Sequence, residues 1–158
     1  MTTSTTDSSP AHLDPVAQRC ASYRRDFNLP ARFEAPSRCI VLPLGHLVGA
    51  VSVPRGQGDR VLTELRMRFL GGPIVENLET RRWTFITGPG SVILSHAFAE
   101  LAKLRATIGT TGDIVRLPTP DEEARGVLRW VRAPQARRAL PAHTAVIATL
   151  RILATRPC

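Results

Sequence analysis

The feature that most limits what this chain can fold into is punctuation. Short apolar runs, each fenced by proline or glycine, interleave with segments of helical period. Cys39-Ile40-Val41-Leu42, Leu47 to Val53, Arg82 to Thr87, Ile114 to Leu117 and Val127 to Val131 are of strand length, and Pro43, Pro54, Gly88, Pro118 and Pro134 close them. Ile74-Val75 adds a shorter candidate. Between these runs, Val16, Cys20 and Tyr23 recur at helical spacing behind Asp14-Pro15, an N-cap followed by proline at the first helical position, and the helix should end before Asn28-Leu29-Pro30. Val61, Leu62, Leu65 and Phe69 mark a second helix with Asp59 as its cap. Phe98, Leu101, Leu104 and Ile108 mark a third, capped by Ser95 and stopped at Gly109, and Val146, Ile147, Leu150 and Leu153 a fourth. Asp121-Glu122-Glu123 and Gly126 read as a solvated loop. Strands and helices interleave without strict alternation. The expected class is therefore α/β (α+β), a mixed central β-sheet with helices packed on it, in one domain spanning residues 12–158.

At 158 residues and 43% hydrophobic, the chain can bury one core, and two full domains are excluded. Residues 1–11 are Ser/Thr-rich and nearly free of apolar side chains, which predicts a mobile tail. Twenty arginines and a single lysine, Lys103, against thirteen acids leave a net charge of +8. An acidic partner suits that balance. Guanidinium forks grip phosphate in two places, although GC-rich coding yields the same arginine excess without selection on function. Cys20, Cys39 and Cys158 are too few and scattered for a disulfide framework, which predicts a reducing, cytoplasmic setting. No run reaches the roughly 18 apolar residues of a membrane helix, and no secretory signal is visible.

Some chemistries find no support. Metal-assisted phosphoryl transfer commonly uses an Asp-x-Asp pair on a strand, where alternate side chains point the same way, and none occurs. His12, His46, His96 and His143 lack zinc spacing and cysteine companions. Ser95 beside His96 is not a triad element, and Cys20 and Cys39 sit in apolar-periodic segments that suit buried thiols. No catalytic residue, metal or cofactor is assigned.

Binding chemistry has more to work with. The strand, Gly56-Gln57-Gly58 and helix from Val51 to Phe69 form a local pattern that turns backbone N–H groups toward an anion, with Arg55 and Arg60 flanking it. The plain alternative is that the glycines only make a turn. Arg81-Arg82-Trp83 and Arg129-Trp130-Val131-Arg132 each set an indole beside guanidinium groups, the combination that single-stranded nucleic acid exploits. The alternative is that Trp83 and Trp130 are core residues with arginines on the opposite strand face.

The run Thr111-Gly112-Asp113-Ile114-Val115-Arg116-Leu117-Pro118-Thr119-Pro120, a short acidic loop, then Gly126-Val127-Leu128-Arg129-Trp130-Val131-Arg132-Ala133-Pro134 and Leu140-Pro141 resembles the closing segment of small bacterial and plasmid-type primase-polymerase domains. Gly49 to Leu65 resembles that family's strand-loop-helix and Arg81 to Gly90 its central hairpin strand, so the likeness runs from about residue 38 to about 145. The chain departs from the family where the chemistry lies. Val51-Ser52-Val53-Pro54 stands in place of the metal-binding Asp-x-Asp, and no Ser-Gly-Gly-x-His follows Thr87. The resemblance implies a related fold and a nucleic-acid or nucleotide setting without polymerase activity. The expectation is a degenerate member that binds single-stranded DNA or nucleotide phosphates through Arg55, Gly56, Gly58, Arg60, Arg81, Arg82, Arg116, Arg129 and Arg132. The alternative is a regulatory module for an acidic protein partner on the same scaffold.

Overall fold

A computed structural model describes residues 14–90 and 95–156; the expected tail at residues 1–11 lies outside them. Helix α1 (Pro15–Phe27) begins as its sequence dictates. The Asp14 carboxylate accepts the Val16 N–H at 2.9 Å, Pro15 needs no partner, and Asn28 ends the helix in the left-handed region at φ 54°. Strands β1 (Arg32–Glu34), β2 (Cys39–Pro43) and β3 (Gly49–Pro54) follow, then α2 (Arg55–Met67), β4 (Ile74–Asn77) and β5 (Arg82–Thr87). The chain continues through α3 (Ser95–Lys103), β6 (Thr107–Ile108), β7 (Ile114–Leu117), α4 (Pro120–Ala124), β8 (Leu128–Arg132) and α5 (His143–Thr155).

The α/β (α+β) class with helices packed on a central sheet is what the structure shows. Every pairing among the described residues is antiparallel, in two sheets: β1-β2-β7, and a central β6-β3-β5-β4-β8. Period-two alternation divides the central sheet's side chains between two cores. Val51 and Val53 of β3, with Trp83 and Phe85 of β5, join Val61 and Leu65 of α2, Leu101 of α3 and Val146 and Leu150 of α5. Ala50, Val75, Ile86 and Leu128 face the other way, toward Ile40, Leu42 and Leu117 of the smaller sheet and Val16, Cys20 and Tyr23 of α1. Each fully buried aliphatic side chain contributes about 1.5–3 kcal/mol, so both faces of the central sheet are strongly committed.

Local propensity is overridden in several places. The third helix does not run on to Gly109. It ends at Lys103, the chain turns through Arg105 at φ 53°, and Thr107–Ile108 pairs with β3, because sheet hydrogen bonds to Val51 and Ser52 were on offer there. Phe98, placed in that helix's apolar stripe by its spacing, is 52% exposed, and Phe69 lies beyond α2 and is 96% exposed. Helix α2 starts at Arg55 behind Pro54, which puts Asp59 inside the helix rather than at its cap. Asp121–Glu123 is not a loop: Thr119 Oγ1 accepts the Glu122 N–H at 3.1 Å and caps α4, with the acids in its first turn where the helix dipole favours them.

Candidate functional site

Between the two sheets lies a cleft of about 560 Å3. Its floor is the face of the central sheet opposite α2, α3 and α5, where Ser52 of β3, Thr84 of β5, Asn77 of β4 and Thr107 of β6 present short polar side chains among Ala50, Val75 and Leu128. Its wall is β7, from Asp113 to Arg116. Ser52 reaches the floor because its neighbours Val51 and Val53 are drawn into the helix-side core, which leaves the intervening side chain pointing the other way.

Arg82, at the start of β5, does not itself line the cleft but is bonded to two of its floor residues, Ser52 and Thr107, and is the fixed cation beside it. Its Nε donates to Ser52 Oγ at 2.9 Å, and its Nη2 donates to Ser52 O at 3.0 Å, Arg105 O at 2.9 Å and Thr107 Oγ1 at 3.2 Å. None of these acceptors is anionic, and among the described residues Nη1 makes no hydrogen bond, so the guanidinium is immobilised with its charge uncompensated. Burial lowers its pKa, yet a guanidinium remains protonated in any folded protein. Asp113 is the single carboxylate lining the cleft. The Thr110 N–H and then its hydroxyl, at 2.8 and 3.1 Å, hold its pKa below the usual carboxylate range.

The other arginines singled out by sequence do not share one face. Arg116 lines the cleft, but its Nη2 is ion-paired to the buried Glu122 and also lies 3.4 Å from Cys39 Sγ. Arg55 and Arg129 flank Glu76, a fully buried carboxylate on the helix side of the sheet, at 3.4 and 2.7 Å. Arg55 and Arg129 therefore serve a structural cluster. Among the described residues, Arg60 bonds only Gln57 Oε1, at 2.9 Å, while Arg81 is exposed and turns the chain at φ 54° with its carbonyl accepting the Arg55 N–H. Arg132 lies over Gly71, beside a crevice of about 20 Å3 that has room for little more than a water.

The anion loop does not form: Gly56 and Gly58 belong to the first turns of α2. Gly58 is there because a Cβ would stand 2.4 Å from Trp83 Cε3, a requirement of helix-on-sheet packing. Trp83 is a core residue, and Trp130 packs partly buried against the other core. Trp83 is 6% exposed, and Trp130 meets Tyr23 edge-on with centroids 5.7 Å apart while donating its Nε1–H to the Tyr23 hydroxyl at 3.0 Å. Burial closes off base stacking on Trp83, while Trp130 is partly buried with Tyr23 against its ring and its N–H already bonded.

Sequence reasoning missed Ser52, Asn77, Thr84 and Thr107. A usable signal existed, since Ser52 is the polar member of an otherwise apolar strand and pairs directly with Thr84 across β3 and β5. Among the described residues, no three His, Cys, Asp or Glu side chains converge as a metal site would require. Compared with protein-family models, curated proteins and solved structures, the chain has no match.

Proposed function

We propose that this domain binds a phosphate-bearing ligand, single-stranded nucleic acid or a nucleotide, in the cleft between the sheets, with Arg82 as the anchoring cation, as a degenerate relative of primase-polymerase domains. The observation that carries the reading is the Arg82 geometry: a guanidinium held by four neutral acceptors keeps full charge at no further ordering cost. Hydroxyl and amide groups on the cleft floor add neutral partners for phosphate or sugar oxygens. The net charge of +8 supplies long-range attraction. Arg60 and Arg81, which have no carboxylate partner among the described residues, would extend the contact only for a strand long enough to leave the cleft.

The test is a titration of fluorescent single-stranded DNA at about 50 and about 200 mM salt. If about three phosphates are neutralised, binding weakens about 20-fold across that interval. Arg82→Ala should weaken binding at low salt and flatten the salt dependence by about one contact. Equal affinity of Arg82→Ala and the parent chain would end the proposal.

A second reading, a module for an acidic protein partner, draws on the end of α2. There Met67 is 72% and Phe69 96% exposed beside Arg66, which has no ion-pair partner among the described residues. Phe69→Asp would abolish such an interaction and leave DNA binding intact.

A further inference from the structure

Leu44 and Gly109 separate the cleft from a second cavity of about 380 Å3. Its walls are apolar at Leu44, Val48, Phe98 and Ile108, Thr111 stands on its rim, and His143 closes one end. Among the described residues, no lining side chain apart from the imidazole is ionisable. A charged ligand would lose its hydration there without meeting a counter-charge.

His143 is the first residue of α5 and is 3% exposed. Its Nδ1 lies 2.9 Å from Thr87 Oγ1, and the Thr87 hydroxyl donates its one proton to the Gly88 carbonyl oxygen at 2.8 Å. The tautomer that fits this arrangement accepts nothing from Thr87, carries its proton on Nδ1 and leaves a lone pair on Nε2. Among the described residues, this buried Nε2 has no hydrogen-bond partner. It points to the side of Gly90, another residue of the cavity wall, whose Cα could carry a Cβ 3.9 Å from it. Burial lowers the pKa of His143, in keeping with a neutral ring. A buried acceptor without a donor is a desolvation cost that an occupant of the cavity would remove. At the mouth, the half-exposed Phe98 ring offers an aromatic face.

We infer that this cavity binds an uncharged aromatic small molecule that donates an N–H or O–H to His143 Nε2. The site is separate from the phosphate cleft, and the inference does not rest on that reading.

Indole and phenol are the probes, and N-methylindole and anisole, which lack the donor, are their matched controls. Each is titrated into the isotope-labelled full chain and followed by NMR. Indole and phenol should shift the resonances of Val48, Ile108 and Thr111 together with His143 Nε2, and the methylated controls should bind about tenfold more weakly. Thr111→Trp, at an exposed position, should block the mouth and abolish the shifts with the fold intact. His143→Ala should erase the preference for donors. Equal binding of donor and methylated probes, no shifts with any probe, undiminished binding to Thr111→Trp, or a ring protonated on Nε2 would each overturn the inference. Arg82→Ala should leave indole binding unchanged, so failure here and failure of the phosphate reading are told apart.

Discussion

Two glycines two residues apart in the same helix should respond to the same substitution with opposite sign. In Gly58→Ala the new methyl group would stand 2.4 and 2.5 Å from Trp83 Cε3 and Cδ2, where carbon atoms in contact sit about 3.5–4.0 Å apart. The indole is buried in the helix-side core against Phe85, so it must move by roughly 1 Å or push α2 off the sheet. Overpacking of this kind costs about 1–3 kcal/mol. The helix gains up to about 1 kcal/mol from replacing glycine by alanine, and the net loss is about 1–2 kcal/mol. For a chain of this size that lowers Tm by about 2–8 °C. In Gly56→Ala the methyl group meets nothing within 4 Å, so only the propensity gain remains, about 0.5 kcal/mol of stabilisation. Urea unfolding followed by tryptophan emission measures both variants and reports the displaced Trp83 directly. DNA affinity should be unaltered in Gly56→Ala. If both variants are destabilised alike, or both lose DNA binding while staying folded, the glycines form a ligand loop and the packing argument is wrong.

The remaining expectations concern buried polar groups. Tyr23→Phe removes the hydroxyl that donates to Pro118 O at 2.6 Å and accepts the Trp130 Nε1–H, leaving two groups unpaired at a loss of about 1–3 kcal/mol; calorimetry and a changed Trp130 emission check it. Glu76→Gln leaves Arg55 and Arg129 facing each other across a neutral amide. Because both arginines are about half exposed, the cost should stay at about 1–3 kcal/mol, read as a lowered urea midpoint that rising salt partly restores. His143 titrates below the usual imidazole value of 6.5 because it is buried. The unfolded chain therefore takes up the proton first: stability is full above about pH 6.5, falls as pH drops toward the depressed folded value, and levels off below it. Unfolding measured across that range should show this step, and His143→Gln should remove it.

The legible parts of the sequence were those where local chemistry and tertiary packing agreed. Asp14-Pro15 and Asn28 bounded α1, and Pro54, Gly88 and Pro118 ended strands where expected. The illegible parts were contests between local and distant partners. Thr107-Ile108 continues a helical stripe by spacing, yet β3 some fifty residues earlier supplied an edge to pair with. The charge of Arg55 and Arg129 was plain, but their shared carboxylate, Glu76, is distant in sequence from both.

Order, class and the chain's positive charge follow from the sequence itself, because proline, glycine and hydrophobic period act within a few residues. Which guanidinium stays uncompensated does not. Arg82 differs from Arg116 only in what the sheets bring to it: neutral oxygens from β3, β6 and the turn before it in one case, the Glu122 carboxylate from α4 in the other. Electrostatic pairing depends on distance in space, and only the folded chain sets those distances.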